Sequence, residues 1–326
     1  MRGATYVGTG GIDVIELSDD LAEPELGSDD ALIEVAYAGL NRADVLERRG
    51  GYSMPKSDVV VPGIEFSGTV RAIGARVTSV AVGDRVCGLV ATGAHAERVV
   101  THALTLSKVP TGVDLASAAA IVESFTTAHD ALFARGRFAL GEIALVHAVG
   151  SSVGLAAVAL VKASGGLAIG TSRTPEKLDR AKAHGLDYGF VLDDNWVGRV
   201  HAATNARGAD VILDFVGAPM LGPNLAVVAA RGRIVQIGTM GGAQGSLNLG
   251  VLLVKRAEIH GTVLRSRALD EKIALAKRFE RELLPLFARG DLRAEVDRVF
   301  PLAQLRDAHE YMERDANFGK ILIAIG

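Results

Sequence analysis

Ile143-Ala144-Leu145-Val146-His147-Ala148-Val149-Gly150-Ser151-Ser152-Val153-Gly154-Leu155-Ala156-Ala157-Val158-Ala159-Leu160 is an apolar run, a turn of small residues and a second apolar run. It predicts a buried strand followed at once by a helix. A helix that starts directly after a tight turn presents free N–H groups and the positive end of its dipole, which together suit a pyrophosphate. The G-x-G-x-x-G fingerprint of dinucleotide-binding turns would place glycine at 149, 151 and 154, where the chain has Val149, Ser151 and Gly154. On this stretch alone two readings stand: a dinucleotide phosphate site, or an ordinary strand-to-helix turn of an α/β protein.

Working outward, apolar strands alternate with helical stretches after Leu115. To the segment at 143–148 are added Leu167–Thr171, Tyr188–Leu192, Asp210–Phe215, Arg233–Gly238 and Ile259–Leu264. Six candidate parallel strands predict an α/β, doubly wound parallel Rossmann sheet. Before residue 110 the pattern is instead short and strand-like, at 31–37, 68–74 and 84–90, with glycine, proline or aspartate between, so a mainly β domain precedes the sheet. Residues 269–289 have helical periodicity, and Val296–Phe300 and Ile321–Ile325 return to strand character. This tail is expected to fold back onto the first domain. A cleft between the two domains would be the expected ligand site.

Composition narrows the function classes. The 326 residues are 49% hydrophobic, enough for a large core and two domains, and the net charge of −3 is spread without the basic face that nucleic acid or an anionic membrane requires. Small-molecule partners are expected, with no nucleic acid and no membrane. No apolar run reaches transmembrane length, and Met1-Arg2-Gly3-Ala4-Thr5-Tyr6 lacks the apolar segment of a leader, so the expected location is cytoplasmic. The single cysteine, Cys87, excludes an internal disulfide and a cysteine-rich zinc site and reads as a buried strand residue.

Four separated segments, Gly39-Leu40-Asn41-Arg42-Ala43-Asp44, Val61-Pro62-Gly63-Ile64-Glu65-Phe66-Ser67-Gly68, Val80-Ala81-Val82-Gly83-Asp84-Arg85-Val86 and Asn317-Phe318-Gly319-Lys320-Ile321, flank the α/β block in that order. In this arrangement the chain resembles the zinc-free quinone oxidoreductases of the medium-chain dehydrogenase/reductase superfamily. Asn41-Arg42-Ala43-Asp44, Met240-Gly241-Gly242 and Leu264-Arg265-Ser266-Arg267 make it most similar to the p53-inducible type. The resemblance implies a GroES-like catalytic domain from 1–121 and 291–326, with a Rossmann dinucleotide-binding domain at 122–290. Zinc-containing relatives carry cysteine where this chain has Asn41 and histidine where it has Ile64, so no metal is expected. Without a Lewis acid, reduction of an activated acceptor is favoured over alcohol oxidation.

The expected cofactor is NADPH. A carboxylate at the tip of the second Rossmann strand would bind the ribose diol of NAD, whereas a cation there accepts the extra phosphate of NADP. The tip reads Thr171-Ser172-Arg173-Thr174-Pro175-Glu176-Lys177, so Ser172 and Arg173 are candidate phosphate ligands, and the resemblance implies Lys177 as another; the plainer reading is a solvated helix start capped by Thr174. Ala148, Ser151, Ser152 and Val153 are the expected pyrophosphate contacts. Ser151 and Ser152 depart from the Ala-x-x-Gly-Gly-Val-Gly of the resembled family. At the nicotinamide end the resemblance implies contacts from Asn41, Thr127, Gly238, Met240, Leu264, Ser266 and Asn317.

Metal-free hydride transfer chiefly requires an acceptor held against the nicotinamide in a dry site with donors where negative charge develops. Candidate catalytic residues are Asn41, which would donate its amide to an acceptor oxygen or the cofactor ribose, and Tyr52, implied to line the quinone pocket. Glu65 reads as a structural acid and Asp44 as a group orienting the turn after Asn41, while His95, His129 and His147 are read as packed residues. The expected activity is NADPH-dependent reduction of a quinone or similarly activated carbonyl compound. An enoyl reductase, or an NADPH-binding sensor or structural protein with little turnover, are the alternatives. The apolar strand at 259–264 ends the expected sheet and would pair with its copy in a homodimer, as in the resembled family.

Overall fold

A computed structural model describes residues 1–51 and 59–326, and its contacts divide the chain into two units, Met1–Glu123 with Leu264–Gly326, and Ser124–Val263. The first unit begins with β1 (Gly3–Val7), β2 (Ile15–Ser18), β3 (Asp30–Leu40), α1 (Arg42–Arg48), β4 (Val59–Val60), β5 (Glu65–Ile73), β6 (Arg85–Leu89), β7 (Arg98–His102) and β8 (Leu106–Lys108). Helix α2 (Leu115–His129) follows. The second unit contains β9 (Ile143–Val146), α3 (Ser152–Ala163), β10 (Leu167–Ser172), α4 (Pro175–Lys182), β11 (Tyr188–Val191), α5 (Trp196–Ala203), β12 (Ala209–Asp214), α6 (Leu221–Val227), β13 (Val228–Gln236), α7 (Leu249–Lys255) and β14 (Glu258–Gly261). The chain closes with α8 (Leu269–Arg278), α9 (Leu284–Arg289), β15 (Val296–Pro301), α10 (Leu305–Glu313) and β16 (Lys320–Ala324) in the first unit.

In the second unit all strands pair in parallel in the order β11-β10-β9-β12-β13-β14, the doubly wound arrangement. Every residue of β9 and β12 is buried, as expected of central strands covered by helices on both faces. The expected strands each appear. The last stops at Gly261 rather than 264, and β13 starts at Val228, ahead of the expected Arg233. Leu145, Ile169, Ile212 and Ile234 form the sheet's contribution to a core closed by Trp196, Val200, Met220 and Leu225.

The first unit is mainly β. Strand β3 buries Ala31, Ile33 and Val35 alternately, the period-2 signature of a sheet with one covered face. It pairs antiparallel with β5, β7 and β16, so the C-terminal strand lies beside a strand of the first hundred residues. Helix α10 closes the core with Leu305, Ala308, His309 and Met312, spaced to put one stripe inward. Cys87 is fully buried in β6, and burial pushes its thiol up to about 12.

Residues 264–290 differ from the expected division at 122–290, since they cluster with the first unit. The physical reason is the buried stripe Leu275, Phe279 and Leu283, with the Ser107 hydroxyl donating to the Ala276 carbonyl at 3.5 Å, which docks α8 on β8. Among the described residues no helix is long and apolar enough to cross a membrane.

Candidate functional site

In the second unit the candidate turn is built by three constraints. The Val149 N–H donates to the Thr171 carbonyl at 3.0 Å, anchoring the turn to the neighbouring strand. Ala148 is held at φ 46°, a left-handed conformation that costs a residue with a Cβ about 1 kcal/mol. Ser151 caps α3, its hydroxyl accepting from the Gly154 N–H at 3.1 Å. As the first two helical residues, Ser152 and Val153 have N–H groups with no carbonyl partner inside the helix. A Cβ on Gly154 would lie 2.7 Å from the Val149 oxygen and 2.8 Å from the Ala148 oxygen, so the helix approaches the turn as closely as only glycine permits.

At the tip of β10, Ser172 is buried and its hydroxyl accepts from the Thr174 N–H at 3.2 Å. Arg173 is exposed and Lys177 half-buried, and the first carboxylate after the strand is Glu176, exposed in the first turn of α4. Thr174 occupies the N-cap position without a side-chain capping bond. Beyond β13, the Gly238 N–H donates to the Asp214 carbonyl and the Met240 N–H to the Phe215 carbonyl, both at 3.3 Å; Met240 is exposed. Thr127 is buried in α2. These residues therefore belong to one unit, with Val149 bound to the strand that carries Ser172 and with Gly238 bound to the end of β12.

The remaining candidates belong to the first unit. Asn41 is the buried N-cap of α1, and its N–H donates to the Asp44 carboxylate at 2.7 Å, so Asp44 does orient this turn. Burial pushes the Asp44 carboxyl up to about 8, against the opposing effect of that N–H. The Asn41 amide is held at both ends: Nδ2 donates to Glu65 Oε1 at 2.8 Å and Oδ1 accepts from Lys320 Nζ at 2.8 Å. Glu65, fully buried, pairs directly with Lys320 and accepts from the Glu123 N–H at 3.0 Å. Burial raises the Glu65 carboxyl against the pull of the Lys320 ammonium. For Lys320 burial alone would act downward, and the carboxylates of Glu65 and Glu123 hold it above its ordinary value instead.

Leu264 is half-buried, Ser266 is exposed, and Asn317 donates to the Gly319 carbonyl at 3.0 Å. Tyr52 lies outside the described residues. His147 is fully buried, as read, but bonded through both ring nitrogens, and His95 is fully buried with Nε2 3.4 Å from the Gly39 carbonyl. Sequence reasoning missed Lys320 and Glu123 as partners of Asn41 and Glu65. The available signal was a lysine heading the otherwise apolar run Ile321-Leu322-Ile323, a charge that burial demands be paired.

Residues 27–113 match the family of alcohol dehydrogenase GroES-like domains, and residues 152–281 that of zinc-binding dehydrogenases. A quinone oxidoreductase of Pseudomonas aeruginosa is 34% identical over 93% of each chain. The structure of the Escherichia coli quinone oxidoreductase complexed with NADPH superposes with a TM-score of 0.90 at 26% identity, covering 99% of this chain and 100% of that one. An NAD-dependent alcohol dehydrogenase of known structure has a TM-score of 0.89 at 29% identity over 100% of both chains.

The zinc in one family's description does not fit the residues present. At the positions where zinc-containing relatives place ligands, Ile64 offers no donor atom, and the Asn41 oxygen already faces an ammonium. The adjacent carboxylate, Glu65, is neutralised by Lys320, whose charge would repel a second cation. With the fold, the turn and the full-length relatives in agreement, the chain belongs to the quinone oxidoreductase family of the medium-chain dehydrogenase/reductase superfamily.

Proposed function

We propose that this protein binds NADPH and reduces a quinone or a similarly activated carbonyl compound without a metal. The observation that carries the cofactor reading is the tip of β10, where Arg173 and Lys177 stand with Ser172 and no carboxylate precedes Glu176. A guanidinium, an ammonium and a hydroxyl there favour a 2′-phosphate over a bare ribose diol. The E. coli relative, described in complex with NADPH, supports the same choice.

The turn would hold the pyrophosphate through the Ser152 and Val153 amides and the hydroxyls of Ser151 and Ser152, with Ala148 shaping its entry. Thr127, Gly238 and Met240, all of the second unit, are the proposed contacts of the nicotinamide portion. When bound, NADPH supplies a hydride, and water supplies the balancing proton that completes reduction of the acceptor. The chain's own contribution is orientation: Asn41, fixed between Glu65 and Lys320, presents one rotamer of its amide. Tyr52 is proposed to line the acceptor pocket.

A homodimer through β14 is part of the same proposal. Among the described residues β14 has β13 on one side and no strand on the other, and Leu249, Leu253 and Val254 of α7 are more than two-thirds exposed. The deciding experiment is steady-state NADPH oxidation against a panel of quinones and enones. Quinone-dependent oxidation supports the proposal; turnover confined to enones supports the enoyl reductase, and tight NADPH binding without consumption refutes both.

A further inference from the structure

Four fully buried polar side chains in the second unit form one continuous chain: Thr171 of β10, His147 just after β9, Asn224 of α6 and Asp214 at the end of β12. Asn224 Nδ2 donates to Asp214 Oδ2 at 2.8 Å, since a carboxylate only accepts. The Asn224 oxygen therefore faces His147 Nε2, 2.7 Å away, and that nitrogen carries the proton. His147 Nδ1 is left as the acceptor of the Thr171 hydroxyl at 2.7 Å. Every proton has one place, and the ring is further fixed edge-on against Trp196, with centroids 5.6 Å apart. Burial holds the imidazole below its ordinary value and so neutral.

What the chain connects gives it a role. At one end, the Thr171 carbonyl holds Val149 of the candidate pyrophosphate turn, and the His147 N–H is tied to the Leu213 carbonyl at 3.1 Å. At the other, Asp214 Oδ1 accepts from the N–H groups of Val216 at 2.6 Å and Gly217 at 2.9 Å, and its carbonyl accepts from Gly238. We propose that Thr171, His147, Asn224 and Asp214 are positioning residues that lock the 148–151 turn and the 215–217 and 238–240 loops into one rigid cofactor cradle. The inference rests on the NADPH reading for its ligand. Its mechanical claim, that a break at one end loosens the other, stands on the hydrogen bonds alone.

The test uses the full chain and two opposite replacements at one position. Thr171→Val keeps the shape and removes the hydroxyl; Thr171→Ser keeps the hydroxyl and removes the methyl. Thr171→Val is expected to raise the NADPH dissociation constant about tenfold, while Thr171→Ser stays within about twofold of wild type. In the absence of NADPH, amide exchange in Thr171→Val should quicken at 147–151 and also at 214–217, whereas β3 is unchanged. Asn224→Leu breaks the chain in the middle, and Thr171→Val combined with it should weaken binding no more than about threefold beyond either alone, because one break already frees the strut. Multiplicative effects in the double variant, a serine variant weaker than the valine one, or exchange quickened only at 147–151 would each overturn the proposal. A wild-type protein that fails to bind NADPH refutes the cofactor reading instead, and the exchange pattern still decides this one.

Discussion

Replacing Lys320 by Met tests the charge balance around Asn41. Lys320 is 1% exposed and faces the Glu65 carboxylate, the Asn41 oxygen and, at 3.5 Å, Glu123. Methionine fills a similar volume without the charge, leaving Glu65 buried with only the Asn41 amide and the Glu123 N–H as donors. Removing one partner of a buried pair costs about 3–5 kcal/mol, because the other charge remains dry and uncompensated. The variant has one escape, protonation of Glu65, whose carboxyl burial already raises. A carboxyl raised in the folded state is most favourable to stability below its unfolded value, and that contribution is lost as pH rises through the folded value. Each further unit of rise is worth about 1.4 kcal/mol between those limits. Lys320→Met should therefore be most destabilised near pH 8, by about 3–5 kcal/mol, and progressively less so toward pH 5. Adding Glu65→Gln should remove most of the pH dependence. Native-state amide exchange in β5 and β16 reads the first unit directly, while fluorescence of the single tryptophan, Trp196 in the second unit, serves as the internal control. A loss equal at pH 5 and pH 8, or one that grows toward acid, would refute the buried ion pair as the cause.

Arg173→Ala with Lys177→Ala should raise the dissociation constant of NADPH far more than that of NADH in fluorescence titrations; equal effects on the two would remove both residues from the 2′-phosphate site. Gly154→Ala must push a Cβ against two carbonyl oxygens closer than 3 Å, so a stability loss of about 1–3 kcal/mol and weaker NADPH binding are expected in thermal unfolding and titration. Asp44, with its carboxyl pushed up to about 8, makes the first unit less stable as pH rises from about 4 to 8, because the unfolded chain gives up that proton earlier; urea titrations of Asp44→Asn should show a flatter pH profile. Ile259→Lys on β14 should yield a monomer by light scattering if that edge joins two copies, and wild type already monomeric at micromolar concentration would exclude the dimer.

The central strands β9 and β12 of the second unit were legible because each is a short apolar run buried on both faces, and Ser151 and Gly154 marked the start of α3 locally. The helical period of 269–289 was also legible, but not its partner. Periodicity fixes which side of a helix is apolar and says nothing about which sheet receives it, so contacts such as Ser107 to Ala276, 169 residues apart, had to come from the fold. The same limit applies to His147. Its burial could be read from its place after an apolar strand, whereas Thr171 and Asn224 lie 24 and 77 residues away.

Asn41 shows what the comparison with zinc-containing relatives leaves unexplained, namely why the position holds an amide rather than any other residue without metal affinity. Its two ends meet opposite charges, a carboxylate at Nδ2 and an ammonium at Oδ1. Aspartate would keep the bond to Lys320 and set a second anion against Glu65; leucine would leave buried groups of both residues short of a partner. An inverted amide would meet like polarity at each end, with N–H against ammonium and oxygen against carboxylate. Asn41 therefore has a single satisfied rotamer, and Glu65 and Lys320 set the direction in which its remaining N–H points, toward the Gly39 carbonyl at a long 3.5 Å. Loss of either charge should accordingly disturb Asn41 before it disturbs the strands around it.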